Sequence, residues 1–121
     1  MLGPRLEGPR VRLESIRESE YAIVRAHDGE GLGRAVLAAE GDVLSIRELC
    51  IDPAHRGFGA GSGAAALIRE AWAADGRWRT LRAFAPAGAG LAVYYWMRMG
   101  LRPLPGEGPA GGLLFERTKG P

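Results

Sequence analysis

Apolar and polar residues change rhythm along this chain, and the changes mark its elements. Val11-Arg12-Leu13-Glu14 alternates with the period of two that suits a half-buried strand. Tyr21 to Ala26 reads as a second strand, Leu32 to Glu40 as a third and Val43 to Ile51 as a fourth. Asp28-Gly29-Glu30-Gly31 and Gly41-Asp42 are turn signals between them. Met1 to Pro9, with its glycines and prolines, reads as an irregular lead-in, and the polar run Ser15 to Glu20 as a turn. The front half is therefore expected to be an antiparallel meander.

Beyond Ile51 the period lengthens. Ala64, Leu67, Ile68, Ala71 and Trp72 recur at helical spacing, which predicts a helix over Ala64 to Ala74, stopped by Asp75-Gly76. Thr80 to Ala85 is a fifth strand. Leu91 to Met99 is a second helix, with Leu91, Tyr95 and Met99 on one stripe, Ala92 and Trp96 beside it, and Gly100 at its end. Leu101 to Leu104 is a short strand, Pro105 to Gly112 a loop, and Leu113 to Arg117 the last strand. A strand–helix–strand unit over Val43 to Ala85 should form a right-handed parallel crossover. The expectation is one α/β domain over residues 1–121. Its sheet is mixed and mostly antiparallel, with a central parallel pair and helices on both faces.

Composition narrows the class of function. Of 121 residues, 46% are apolar, enough for one packed core. No apolar run approaches the ~18 residues of a membrane span, and Met1-Leu2-Gly3-Pro4-Arg5 lacks the apolar stretch of a signal peptide. A cytoplasmic location is expected by default. The net charge is +2, with basic residues spread along the chain, so no nucleic-acid stripe is expected. Fifteen arginines, one lysine and no Asn or Gln fit either a thermostable chain or a GC-rich coding sequence. Cys50 is the only cysteine, which rules out an intrachain disulfide and suits a small core residue. With His27 and His55 it has no metal-site spacing, so no metal is expected.

The candidate chemistry sits between the fourth strand and the first helix. Arg56-Gly57-Phe58-Gly59-Ala60-Gly61-Ser62-Gly63 bridges them. The first amides of a helix lack intrahelical partners, and the helix dipole places partial positive charge there. Glycine lets an anion approach the backbone, and arginine adds a permanently charged fork. The stretch therefore reads as a phosphate or pyrophosphate site; four glycines behind an arginine have no reason in a bare loop. A triphosphate loop would close on Lys-Ser or Lys-Thr, and the only lysine is Lys119. Gly59 to Ala64 does satisfy the dinucleotide pattern G-x-G-x-x-[GA]. However, seven residues separate Ile51 from Gly59, and no carboxylate follows the next strand, which ends Ala85-Pro86.

Leu49-Cys50-Ile51-Asp52-Pro53-Ala54-His55-Arg56-Gly57-Phe58-Gly59-Ala60-Gly61 resembles the acetyl-CoA-binding motif of the GNAT acyltransferase superfamily. That motif is an apolar strand, often ending Asp-Pro, followed by Arg-x-x-Gly-x-Gly at a helix start. Arg56, Gly59 and Gly61 match its defining positions. Met99-Gly100-Leu101 resembles the hydrophobic-Gly-aromatic ending of the family's next helix, with Leu101 for the aromatic. The resemblance spans Leu32 to Arg117. It implies that the central parallel strands splay apart for CoA and that Leu49, Cys50 and Ile51 offer main-chain contacts to pantetheine. It also implies that Arg56, Gly57, Phe58, Gly59, Ala60, Gly61 and Ser62 hold the pyrophosphate. The implied reaction is acetyl transfer from acetyl-CoA to a primary amine, on a small molecule or a protein.

The resemblance is incomplete where catalysis is concerned. The family tyrosine that serves the leaving thiolate falls at Trp96; Tyr95 and Tyr94 are the adjacent hydroxyls, and Tyr95 is the nearer. Strand alternation places Ser45, Arg47, Leu49 and Ile51 on one face and Ile46, Glu48 and Cys50 on the other. Family bases often lie on the face of Ser45, so Glu48 reads as an ion-pair partner; His55 reads as a packing residue, and water is left as an alternative base. The one or two helices that the family places between its first two strands have no counterpart here. Either the acceptor is large and lies on an open surface, or a dimer partner completes the pocket, or the chain binds CoA as a regulatory module without turnover.

Overall fold

The structure, a computed structural model, describes residues 2–106 and 108–120. Met1 in the expected lead-in, Glu107 in the expected loop, and Pro121 lie outside the described residues. The elements are β1 (Arg5–Glu7), β2 (Val11–Arg17), β3 (Glu20–Arg25), β4 (Gly31–Glu40), β5 (Val43–Ile51), α1 (Ala60–Ala74), β6 (Thr80–Ala85), α2 (Gly90–Arg98), β7 (Arg102–Pro103) and β8 (Leu113–Thr118). Short 3-10 turns at Pro53–His55 and Pro109–Gly111 complete them. The strands form one sheet in the order β1-β2-β3-β4-β5-β6-β8-β7. Every pairing is antiparallel except that of β5 with β6. This is the mixed, mostly antiparallel sheet with a central parallel pair that the sequence predicts.

Two segments differ from expectation. The lead-in carries a strand, β1, because Tyr21 clamps it. The Tyr21 hydroxyl donates to the Gly3 carbonyl at 2.8 Å and accepts from the Leu2 N–H at 3.0 Å. Arg5 also pairs across the ladder with Glu14 at 3.3 Å. The polar run after Glu14 is only in part a turn: β2 continues to Arg17, Glu18 and Ser19 make the turn, and β3 starts at Glu20. Ser15, Ile16 and Arg17 are exposed, so this end of the hairpin projects beyond the core, and polarity there signals exposure rather than a bend.

Pairing register assigns the faces. Leu13, Ile23, Ala35, Leu37, Leu44, Ile46, Leu81, Ala83 and Phe115 share one face and are buried with Ala64, Ile68, Trp72 and Trp96 of the helices in a single core. Both helices cover this same face, rather than one lying on each. Arg117, two residues past Phe115 and on its face, donates from Nη1 to the Met99 carbonyl at the end of α2, at 3.1 Å. Lys119 donates from Nζ to the Asp75 carbonyl at the end of α1, at 2.5 Å. The reason is topological: β5 to β6 and β6 to β7 are parallel crossovers that step the same way along the sheet, and right-handed crossovers of that kind stack on one side. The opposite face carries Arg12, Glu14, Arg34, Glu48, Arg82 and Glu116 among small apolar residues, and no helix of the described residues lies over it. Among the described residues, no helix is long and apolar enough to cross a membrane.

Candidate active site

The parallel pair is short. Val43 to Ile46 of β5 pair with Thr80 to Ala83 of β6, and there the ladder stops. Arg47 to Ile51 continue without a partner on that side, as do Phe84 and Ala85. The cause lies on the other edge of β5. Val36 faces Glu48 and Leu37 faces Ile46, so Arg47 is an extra residue in a β-bulge. A bulge bends its strand and increases local twist, which swings the end of β5 away from β6. Beyond the point of parting, a cleft of 290 Å³ lies between the end of β5 and the start of α2, lined by Leu49, Cys50, Ile51, Arg56, Leu91 and Tyr95, among others.

The bulge also changes the faces. Leu44 and Ile46 point into the core before it, while Leu49 and Ile51 point there after it. The simple alternation that grouped Ser45 with Leu49 and Ile51 therefore fails at Arg47. Glu48 and Cys50 lie instead on the uncovered face with Ser45. Glu48 is there as an ion-pair partner: its Oε1 accepts from Arg34 Nε and Nη2 at 3.1 and 2.9 Å. Cys50 is exposed, not a core residue.

Backbone direction along the cleft follows from one hydrogen bond. The Asp52 N–H donates to the Leu32 carbonyl at 2.8 Å. Hydrogen-bonded and non-bonded pairs alternate in an antiparallel ladder, so Cys50 turns its N–H and C=O toward Arg34 of β4. Leu49 and Ile51 turn theirs toward the cleft. Unpaired backbone groups on a strand edge are costly when buried and bind well to an amide that meets them. The Ile51 carbonyl is shared, because Arg56 Nε donates to it at 2.9 Å. That contact fixes the Arg56 guanidinium at the mouth of the cleft.

The glycine run is the first turn of α1 together with the loop before it. The helix begins at Ala60, four residues earlier than its apolar pattern indicates. Gly59 is its N-cap at φ 83°, and Gly57 sits at φ 88°, both in the left-handed region that glycine tolerates. A Cβ on Gly61 would stand 2.6 Å from the Tyr95 hydroxyl, and one on Gly63 would stand 3.1 Å from the Val11 side chain. The glycines thus have conformational and packing reasons of their own, contrary to the expectation that a bare loop has none. The helix start nonetheless has no side-chain cap and no acidic residue in its first turn, so its first amides have no side-chain acceptor. Arg10, missed in the sequence, lies over the same point: its Nη1 is 3.3 Å from where a Gly59 Cβ would be. Nothing local signals this residue, because the β1–β2 hairpin delivers it from fifty residues upstream. Phe58 and Ser62 are exposed and Ala60 is buried.

The three aromatic residues of α2 divide cleanly. Trp96 is buried, and its indole N–H donates to the Phe84 carbonyl at 3.2 Å, where β6 leaves β5. Tyr94 is exposed and its hydroxyl accepts from Arg98 at 2.8 Å. Tyr95 lines the cleft, with its ring against Gly61. Leu91 is exposed, although its stripe residue Met99 is buried. His55 approaches Glu30, with 3.6 Å from its Nε2 to the carboxylate. No group of three or more His, Cys, Asp or Glu that could hold a metal ion occurs among the described residues.

No family model matches the sequence, and no curated protein matches it. Solved structures match the fold. A protein from Sphaerobacter thermophilus assigned as an acetyltransferase superposes with a TM-score of 0.76 over 98% of this chain and 100% of its own, at 15% identity. A GCN5-related N-acetyltransferase from Brucella melitensis gives 0.76 over 94% of this chain and 78% of its own, at 13% identity. A GNAT-family acetyltransferase from Bacillus anthracis gives 0.71 over 83% and 66%, at 12% identity. The sheet, mostly antiparallel, is not the parallel one of a dinucleotide-binding domain. The chain has the acyl-CoA N-acyltransferase fold of the GNAT superfamily.

Proposed function

We propose that this protein transfers the acetyl group of acetyl-CoA to a primary amine. The observation that carries the reading is the adjacency of two features: the cleft between the end of β5 and α2 adjoins the uncapped start of α1 through Tyr95, whose ring lies against Gly61, and Arg56 lines its mouth. A pantetheine arm needs amide partners along a narrow slot, and the Leu49 and Ile51 backbones supply them. A pyrophosphate needs donors and positive charge, and the amides from Gly59 to Ser62 supply them with Arg56 and Arg10. Gly57 and Phe58 shape the loop that holds Arg56, and Cys50 contributes its side of the slot.

The chemistry joins the amine nitrogen to the thioester carbonyl and breaks the carbon–sulfur bond. One proton leaves the amine and one reaches the departing thiolate. Tyr95 is the tyrosine lining the cleft, and we assign it the second proton transfer. Glu48, turned by the bulge to the uncovered face one residue past the point where the strands part, is the carboxylate placed to receive the first, directly or through water.

One observation favours a second reading, a CoA-binding module without turnover. The position of the family tyrosine holds Trp96, whose N–H is spent on Phe84. Two measurements separate these readings. Acetyl-CoA and CoA, but not NAD, should raise the thermal midpoint. Thiol release from acetyl-CoA should depend on an added amine and fall in Tyr95→Phe and Glu48→Gln. Thermal shifts by CoA with no thiol release for any amine would leave the regulatory module; no shift by either would reject both.

A further inference from the structure

A second cavity, of 350 Å³, opens on the uncovered face of the sheet where β5 and β6 part. The backbones of Ile46 and Ala83, the last parallel pair, form its floor. Ser45, Arg47 and Arg82 reach into it, and Phe84, Leu114 and Pro109 form an apolar wall. It therefore reaches the fork of the sheet from the side opposite the helices, while the first cleft begins further along β5, at Leu49.

Its two arginines are not equivalent. Arg82 is held hard: Nε and Nη2 both donate to Glu116 Oε2, and both side chains are largely covered. Arg47 is held loosely. Its one ion pair, Nη2 to Glu40 Oε1 at 3.3 Å, joins side chains that are 59% and 70% exposed. Pairs so exposed contribute little, since water screens them. Arg47 is also the bulge residue, so its backbone begins the unpaired stretch of β5 at the fork itself. A guanidinium there is positioned to accept a carboxylate in a bidentate grip.

We propose that this cavity receives the acceptor, and that the acceptor is an amine carrying a carboxylate on an apolar frame, the smallest such class being the apolar α-amino acids. Arg47 exchanges Glu40 for the substrate carboxylate, and Glu40 swings into solvent. The apolar side chain lies on Phe84, Leu114 and Pro109. The amine, bonded to the same carbon as the carboxylate, is then held within one residue's reach of the fork. This assignment rests on the acetyl-transfer reading above and names the substrate class for the same site. The amine attacks as the free base; its nitrogen bonds to the acetyl carbon, the sulfur leaves, and a proton lost from nitrogen balances the one gained by the thiolate.

Matched pairs of amines test the proposal: phenylalanine against phenethylamine, and leucine against isoamylamine, which differ only in the carboxylate. Thiol release from acetyl-CoA should show kcat/KM at least about tenfold higher for the amino acid of each pair. Arg47→Ala should erase that preference, lowering the amino acid rate about tenfold or more and the amine rate by much less. Arg47→Lys should restore part of it. Equal rates within each pair, or an Arg47→Ala loss shared by amine and amino acid, would overturn the proposal. Calorimetry of phenylalanine with the CoA-loaded protein distinguishes failure of the two readings. Binding that depends on Arg47 without any thiol release keeps the site and rejects acetyl transfer. Neither binding nor release for phenylalanine and leucine rejects the site.

Discussion

Replacing Gly61 by alanine sets two effects against each other. Alanine favours helix by up to about 1 kcal/mol over glycine, less in a first turn than in the interior. Against this, the new Cβ would stand 2.6 Å from Tyr95 Oη, 2.7 Å from Cζ and 2.8 Å from Cε2. Ordinary contact begins near 3.4 Å, so the phenol must retreat by about 0.8 Å (3.4 − 2.6). Tyr95 is the far end of a flexible side chain with the open cleft beside it, so it yields by rotating rather than by unfolding the helix. Stability should therefore change by less than about 1 kcal/mol, read from urea unfolding. Catalysis should respond more strongly, because a misplacement of this size at a reacting group costs up to about 10²-fold in rate. The assay is amine-dependent thiol release, with acetyl-CoA affinity measured by calorimetry. The double variant Gly61→Ala/Tyr95→Phe should lose little beyond Tyr95→Phe alone, since both act through one hydroxyl. A stable Gly61→Ala protein with unchanged kcat would refute the role given to Tyr95 and to the glycine beneath it.

Three further outcomes are expected. Arg56→Ala should raise the acetyl-CoA Kd about 10- to 100-fold, the value of one hydrogen bond to a charged group, and unchanged calorimetric affinity would remove Arg56 from the phosphate site. Trp96→Phe leaves the Phe84 carbonyl without its indole donor and thins the core, so urea unfolding should show a loss of about 2–4 kcal/mol; a loss under about 0.5 kcal/mol would contradict the packing described. Arg77, bonding to Asp75 through side chain and backbone, holds that carboxyl at about 2. A carboxyl whose folded value lies below its unfolded value of about 3.9 stabilises the fold above that pH and loses this as the pH falls toward 2. The melting-temperature gap between wild type and Asp75→Asn should hold above about pH 5 and shrink between about pH 4 and 2; a gap that persists at pH 2 would argue against the assignment.

Most of the architecture is legible in the sequence because most elements obey one period. The Val43–Ile51 strand and the Ile68–Trp72 helical stripe each announce themselves, and Arg56-x-x-Gly-x-Gly marks the turn between them. What escapes is whatever depends on partners. The bulge at Arg47 arises from the register of β5 against β4, and it alone reverses the facing of Glu48 and Leu49. Strand β1 exists because Tyr21, far along the chain, clamps it. The start of α1 at Ala60 hides behind glycines, whose weak helix propensity argues for a loop. Arg10 reaches the anion site only through the hairpin that carries it. Tyr95 illustrates both sides: proximity to position 96 singles it out, but its contact with Gly61 is a relation between two helices that no local pattern encodes.

Strand β8 is last in sequence yet lies inside the sheet, between β6 and β7. Its partner residues are distant, as with Thr80 and Thr118, and its tail is what ties down the ends of both helices. Until β8 docks, β6 is an edge strand, with the sequence Thr80-Leu81-Arg82-Ala83-Phe84-Ala85 offered to any other chain. Folding therefore cannot complete by growth from the front meander; it waits on a long-range closure, which is slow. Substitutions that weaken β8 should consequently appear first as aggregation during refolding or synthesis, while the molecules that do close retain a normal site.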